Sequence, residues 1–169
     1  QDIKILGAFV SGMGGIVYTK AAPKPRDPNF DQGLKIRVWP GATTHQALLD
    51  RLGYQTAPIP WSDLYTAMQT GVVDGAIGAT PELAMNNFSD IAKMWVQNND
   101  HFEVSFIAIN KSRFENLSNE QQAIMTKIAS DISAERFAVA EQEHHKYLQQ
   151  MRDKGIEVIE LTDAELKLV

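Results

Sequence analysis

Residues 33–41 read GLKIRVWPG, a short alternation of apolar and basic residues that is broken by a Pro-Gly pair. The alternation predicts a β-strand, and the Pro-Gly pair predicts its end. A helix is expected directly afterwards, with Thr43 as its N-cap and Gln46 at the spacing of a capping box. Arg37 therefore lies close to a strand-to-helix junction, the basic unit of an α/β fold.

Arg37 is a candidate anion-binding residue. Its guanidinium is a planar fork that holds a carboxylate through two parallel hydrogen bonds, and exposed amides at a helix start add to the attraction. The segment alone also fits a second interpretation, in which Arg37 is a surface residue of the strand that pairs with an aspartate. Both interpretations remain open at this point.

The rest of the chain continues the alternation of strands and helices. Further strands are predicted at 3–10, 16–18, 56–59, 72–78, 94–96, 104–109 and 156–159, with a glycine-rich turn at 11–15. Further helices are predicted at 81–87 and in a segment that starts at Ser62 as N-cap and ends at Gly71. Such an alternation is typical of the α/β class. Asp74 is expected to accept turn amides beside Gly75 and to order the strand end.

One helix dominates the last third of the chain. It is predicted over 118–153, begins with a capping box of Ser118 and Gln121, and is stopped by Gly155. A helix of about 35 residues is about 50 Å long. That exceeds the diameter of a small domain, so this helix is expected to serve two lobes.

Composition excludes several classes of function. The chain has 169 residues, 44% of them apolar, a net charge of −5 and no cysteine. A nucleic-acid surface, disulfides and thiolate metal sites are therefore not expected. No nucleophile or metal motif of an enzyme is present, and Glu141 to His145 are interpreted as a solvated helix face. His101 is expected to make a structural hydrogen bond. We expect no cofactor, no metal site and no catalysis.

Three segments carry a resemblance to a known family. They are 33–38, 109–111 together with 117–122, and 60–75, the last of which reads PWSDLYTAMQTGVVDG. Together they resemble the dicarboxylate-binding-protein-like solute-binding proteins of TRAP transporters, the tripartite ATP-independent periplasmic systems. The resemblance covers nearly the whole chain in the family's order and spacing.

The resemblance implies a fold and a function. The fold is α/β and periplasmic-binding-protein-like, with two lobes of the type II kind, of which this chain holds mainly one lobe and the long linking helix. The function is capture of a small organic acid in the periplasm and its delivery to the TRAP membrane permease subunits. The alternative is a ligand-sensing or protein-interaction module of the same fold.

The resemblance also implies site residues. Arg37 corresponds to the family's selectivity arginine, and Trp61 corresponds to an aromatic residue that packs on the ligand. Four further positions are expected to line the cleft: Trp39, Gly14, Gly78 and Phe102. The glycine turn supplies no second cation, and Gly78 stands where many members place an asparagine. One cation and extra glycine space favour a monocarboxylate with a bulky or apolar body.

Family members are nearly twice as long, so the resemblance implies a fragment that lacks the N-terminal part and the signal peptide. The retained ligand-binding lobe is expected at 15–100, joined by the last strand at 156–160. The inter-lobe strands and part of the second lobe are expected at 1–14 and 101–142, and the spanning helix at 118–153. Apolar surface should be exposed at Val104, Phe106 and the start of the long helix. Such a fragment could form a homodimer or a swapped dimer, and alone it is not expected to bind ligand.

Overall fold

The computed structural model describes residues 2–168, so the first residue of the segment 1–14 lies outside it. The strands are β1 (Ile3–Met13), β2 (Gly15–Tyr18), β3 (Lys35–Val38), β4 (Gln55–Pro58), β5 (Gly75–Ala79), β6 (Met94–Gln97), β7 (Phe102–Asn110) and β8 (Glu157–Glu160). The helices are α1 (Thr43–Arg51), α2 (Trp61–Gln69), α3 (Pro81–Phe88), α4 (Lys111–Glu115), α5 (Asn119–Asp153) and α6 (Asp163–Leu166). The predicted α/β class is confirmed. None of the described helices is both long enough and apolar enough to cross a membrane.

The main sheet has six strands in the order β4-β3-β5-β2-β6-β8. Every neighbouring pair is parallel except the two that contain β2, which runs antiparallel to β5 and to β6. The carboxyl ends of five strands and the start of β2 therefore meet at one edge of the sheet. In open α/β sheets this is the edge where ligands bind.

Both faces of the sheet are buried at its central strands, and β2, β5 and β6 are accordingly almost continuously apolar. One face packs on α2, α3 and the end of α5, through residues such as Leu64, Phe88 and Met151. The other face packs on α1, through residues such as Ile36, Val38 and Leu49. Ile36 and Val38 flank Arg37 in β3, so strand alternation turns Arg37 to the α2 face.

A separate antiparallel ladder joins β1 to β7 and packs against α5. Gly7 of β1 lies so close to α5 that a Cβ there would overlap Ser133. The outward face of β7 is apolar and exposed, with Val104 44% and Phe106 61% accessible. Ile124 and Ile128 near the start of α5 are also about half exposed. The predicted exposure of these apolar residues is confirmed.

The expected glycine turn at 11–15 is wrong. β1 continues to Met13 and β2 begins at Gly15, so only Gly14 separates them. The pairing with β7 shifts register between Val10 and Gly12, where Gly12 has φ +141°. Glycine here accommodates a bulge within the strand instead of ending it.

Two of the predicted N-caps are also wrong. Ala42, not Thr43, caps α1, and it makes no side-chain hydrogen bond. Helix α2 begins at Trp61 with Pro60 at the cap position, so Ser62 lies inside the first turn. Proline already holds the φ that a chain needs when it enters a helix, and no hydroxyl cap is required. The capping box of Ser118 and Gln121 at the start of α5 is confirmed.

The strand predicted at 72–78 is shorter and lies later, at Gly75–Ala79. The amides of Val72 and Val73 both donate to the carbonyl of Ala67, so these residues complete the end of α2. Asp74 orders a strand, but not through the turn amides expected. Its Oδ2 accepts the amide of Lys35, 2.9 Å away at the start of β3.

Candidate functional site

Arg37 is fully enclosed, with 2% of its surface exposed. Its Nε donates to the carbonyl of Ile59 at 2.7 Å, which fixes the direction of the side chain. Among residues 2–168, no acidic side chain forms an ion pair with this guanidinium. The alternative of a surface arginine paired with an aspartate is therefore wrong.

The electrostatics of Arg37 follow from this burial. Loss of solvent lowers the pKa of the guanidinium from its usual value. That usual value is so high that the group remains protonated at neutral pH. A buried positive charge without a carboxylate partner is costly, and such charges are normally paired in proteins. The arrangement therefore favours an external anion as the partner of Arg37.

Trp61 lies beside this charge. The centre of its ring is 5.7 Å from the guanidinium carbon of Arg37, a distance at which the cation and the aromatic face attract each other. Its ring also packs edge-on against Phe88 at 5.6 Å. Trp61 remains 42% exposed, so it presents an apolar surface next to the guanidinium. The structure thus brings these two predicted site residues together.

Trp39 and Gly78 form a second pair at the same edge. β3 ends at Val38, and the Trp39 ring lies directly against Gly78, where a Cβ would overlap it. Gly78 also has φ +91°, a conformation that favours glycine. The space that glycine was expected to leave for a bulky ligand is therefore occupied by the Trp39 indole.

Gly14 adjoins the start of β2 at this same edge of the sheet, whereas Phe102 lies in a separate groove. The amide of Gly14 donates to the carbonyl of His101 at 2.8 Å, and a Cβ on Gly14 would overlap the His101 ring. Phe102 is 65% exposed and lines an open groove with Met13 and His144. Arg37, Trp61, Trp39 and Gly78 are not part of that groove. Ligand contact by Gly14 and Phe102 stays a prediction, as it does for the other four residues.

The groove also changes the interpretation of residues 141–145. The exposed residues Glu141 and His145 fit the expected solvated face. His144 does not, because it is half-buried and its Nδ1 has no hydrogen-bond partner among the described residues. Burial lowers the pKa of His144.

Sequence reasoning missed a cluster of His45, Asp100 and His101. Asp100 Oδ2 lies 2.8 Å from His45 Nε2 and 2.7 Å from His101 Nδ1. The structural hydrogen bond expected for His101 is thus confirmed. No pattern in the chain links His45 to Asp100, because one comes from α1 and the other from the segment between β6 and β7.

Contacts within the cluster shift the pKa values of Asp100 and His101. Burial alone would raise the pKa of Asp100, but hydrogen bonds from His101 and His45 outweigh it and lower that pKa. The hydrogen bond to Asp100 raises the pKa of His101 against the opposing effect of burial. The Trp39 ring packs edge-on against His45 at 4.7 Å, so the cluster adjoins the Trp39 and Gly78 pair.

A family model matches this chain over residues 1–168, that of the DctP proteins, described as bacterial extracellular solute-binding protein, family 7. Among curated relatives, the 2,3-diketo-L-gulonate-binding periplasmic protein YiaO of Escherichia coli is 26% identical over 99% of this chain and 49% of its own length. The C4-dicarboxylate-binding periplasmic protein DctP of Rhodobacter capsulatus is 27% identical over 82% of this chain and 41% of its own length. The chain spans about half the length of the curated relatives it matches.

Solved structures show the same fold. A TRAP periplasmic solute-binding protein from Ralstonia eutropha, with bound (S)-2-acetolactate, has a TM-score of 0.82 at 22% identity. It covers 98% of this chain, and this chain covers 53% of it. A TRAP periplasmic solute-binding protein from Desulfovibrio salexigens, with bound orotic acid, has a TM-score of 0.79 at 21% identity, covering 98% of this chain and 52% of its own. The predicted periplasmic-binding-protein-like fold is confirmed.

Proposed function

Because the chain belongs to family 7 of the bacterial extracellular solute-binding proteins, we propose that it captures a small organic acid in the periplasm and delivers it to the TRAP membrane permease subunits. One observation carries this proposal. Arg37 is a buried cation close to the carboxyl end of β3, and no acidic side chain among residues 2–168 neutralises it.

The hydrogen-bond donors of Arg37 favour a carboxylate as the ligand. The Nε of Arg37 is already used by the carbonyl of Ile59. The terminal nitrogens remain as donors, and two parallel bonds from them match the two oxygens of one carboxylate. Proteins of similar sequence or fold bind diketogulonate, acetolactate and orotic acid, which differ in shape and share an acid group.

The body of the ligand is proposed to pack on Trp61. Its ring stands next to the guanidinium and keeps 42% of its surface accessible. Because Trp39 fills the space over Gly78, that glycine is not what admits a bulky ligand. We propose that Trp39 forms a second aromatic wall, so a planar or apolar acid should fit better than a compact, highly hydroxylated one.

We further propose the lobe assignment expected from the sequence. Residues 15–100 with 156–160 would form the ligand-binding lobe, since these residues supply the six-stranded sheet. Residues 1–14 and 101–142 would belong to the inter-lobe strands and the second lobe. Capture would proceed by hinge closure around the acid, without chemical turnover.

The test is a thermal-shift screen of the full-length protein against monocarboxylates, dicarboxylates and uronates, followed by calorimetry on the acids that stabilise it. A bound acid should raise the unfolding temperature progressively once its concentration exceeds Kd, with the logarithm of that concentration. An amine or neutral sugar matched in size serves as the control. A screen in which no acid stabilises the protein, or in which neutral analogues do so equally, would contradict the proposal.

A further inference from the structure

The cluster of His45, Asp100 and His101 has the composition of a metal site. One ligand atom from each residue lies within 4.8 Å of the others. Asp100 Oδ2 stands between the two imidazoles, 2.8 Å from His45 Nε2 and 2.7 Å from His101 Nδ1. Two imidazoles and a carboxylate are a usual donor set for zinc.

The cluster leaves polar atoms unsatisfied. The Asp100 side chain is completely buried. Its Oδ1 has no hydrogen-bond partner among the described residues, and neither has Nδ1 of His45. Leaving a buried charged oxygen without a bond is expensive, and buried charges are typically paired or bound to metal. The hydrogen bonds within the cluster therefore do not account for all of its polar atoms.

Glu103 supplies the outer support that metal-binding histidines usually have. Its Oε2 lies 3.3 Å from Nε2 of His101. With a proton held on Nε2 by this carboxylate, Nδ1 of His101 can give up its hydrogen bond to Asp100 and act as a metal ligand. A carboxylate that orients a ligating imidazole in this way is common around zinc.

We propose that His45, Asp100 and His101 bind one divalent transition-metal ion of the zinc type. Ligands at zinc distances in a tetrahedron are about 3.3 Å apart, so the present contacts need to lengthen by about half an ångström. The two imidazoles favour zinc over calcium or magnesium, which prefer oxygen ligands. The ion would join α1 to the segment that leads into β7. This site does not depend on the proposed capture of an organic acid.

The probe is Zn²⁺, with Co²⁺ as a coloured substitute, titrated into the metal-free 169-residue chain. We expect a single saturable site, a Co²⁺ spectrum typical of three protein ligands and one water, and a higher unfolding temperature with Zn²⁺. His45→Ala and His101→Ala should each weaken Zn²⁺ binding by at least about tenfold. His145→Ala, on the exposed face of α5, is the matched control and should leave the affinity unchanged.

Three results would overturn the proposal: no saturable binding by the parent chain, unchanged affinity in both cluster variants, or loss of binding in His145→Ala. Circular dichroism checks the fold of each variant. Should an alanine variant fail to fold, His45→Gln and His101→Gln replace it. Loss of the Co²⁺ spectrum in these variants supports the site, and its retention refutes it. None of these results bears on acid binding, which is measured separately without metal.

Discussion

Arg37 is the residue on which the proposed binding of an acid depends. Replacing it by methionine keeps the aliphatic stem and removes every donor, so we expect affinity for the bound acid to fall by about 1.5–3 kcal/mol, roughly ten- to a hundredfold. The affinity of Arg37→Lys for the acid should lie between those of the parent protein and Arg37→Met, because an ammonium keeps the charge but loses the bidentate geometry. Calorimetry on the full-length protein measures both.

Arg26 provides the control for that experiment. It is an exposed arginine whose partner is Glu165 at 2.8 Å, so Arg26→Met removes a surface charge of the same kind. Its effect on affinity should be negligible. Equal losses in the two variants would mean that net charge, not the buried fork of Arg37, governs binding.

At Gly14, stability is expected to depend on the absence of a Cβ atom. A Cβ at this position would overlap the His101 ring, so Gly14→Ala should lower the free energy of unfolding by about 1–3 kcal/mol. Chemical denaturation measures this loss. In a His101→Ala background the same change should cost clearly less, since the obstructing ring is gone. An equal cost in both backgrounds would show that another contact is responsible.

At the level of elements, Asp74 ties the start of β3 to the start of β5. Its Oδ2 accepts the Lys35 amide, and its Oδ1 lies 2.8 Å from the ammonium of Lys20. Asp74→Ala should lower the free energy of unfolding by about 1–2 kcal/mol. Asp74→Asn should cost less, because an amide oxygen can still accept from Lys35. Urea unfolding of the three proteins at pH 7 tests this order.

The same residue predicts a dependence on pH. Burial raises the pKa of Asp74, but the bonds from Lys20 and the Lys35 amide outweigh it and bring that pKa below its ordinary value. The stabilisation is therefore complete above about pH 4 and disappears as pH falls through the lower, folded-state pKa. The difference in unfolding free energy between the parent chain and Asp74→Asn should narrow from pH 5 to pH 3. A constant difference would refute this.

The capping box at the start of α5 is expected to stabilise the chain. Ser118 accepts the Gln121 amide, and the Gln121 side chain accepts the Ser118 amide. Ser118→Ala should lower the free energy of unfolding by about 1 kcal/mol. Ser130→Ala, on the exposed surface within the helix, should be neutral or slightly stabilising because alanine is the better helix former. Thermal denaturation followed by circular dichroism distinguishes the two.

The sequence predicts features that depend on neighbouring residues and misses those that form only when the chain folds. The Ser118 cap and the position of Arg37 depend on residues within a few positions of each other, so the sequence reveals them. The start of α2 was misplaced because Pro60 enters the helix through its fixed φ and needs no hydroxyl. The His45 and Asp100 pairing was missed because it exists only after the sheet has brought α1 beside the end of β6.

At the scale of the whole molecule, the six-stranded sheet and the ladder of β1 and β7 differ in burial. The six-stranded sheet is covered on both faces, whereas the outward face of β7 and the first turns of α5 are open. Phe106 is 61% and Ile128 52% exposed. Since the chain spans about half the length of its curated relatives, we propose that further chain covers these apolar faces in a full-length protein.

This proposal predicts how the 169-residue chain behaves alone. Its open apolar faces should make it associate with itself as concentration rises. Phe106→Lys combined with Ile128→Glu should shift the sedimentation of the chain toward that of a monomer, because charges on these faces oppose burial. Val72→Lys is the control, since Val72 is 56% exposed at the end of α2, away from the ladder. A parent chain that stays monomeric at every concentration, or a Val72→Lys variant that dissociates equally, would contradict the assignment of these faces as contact surfaces.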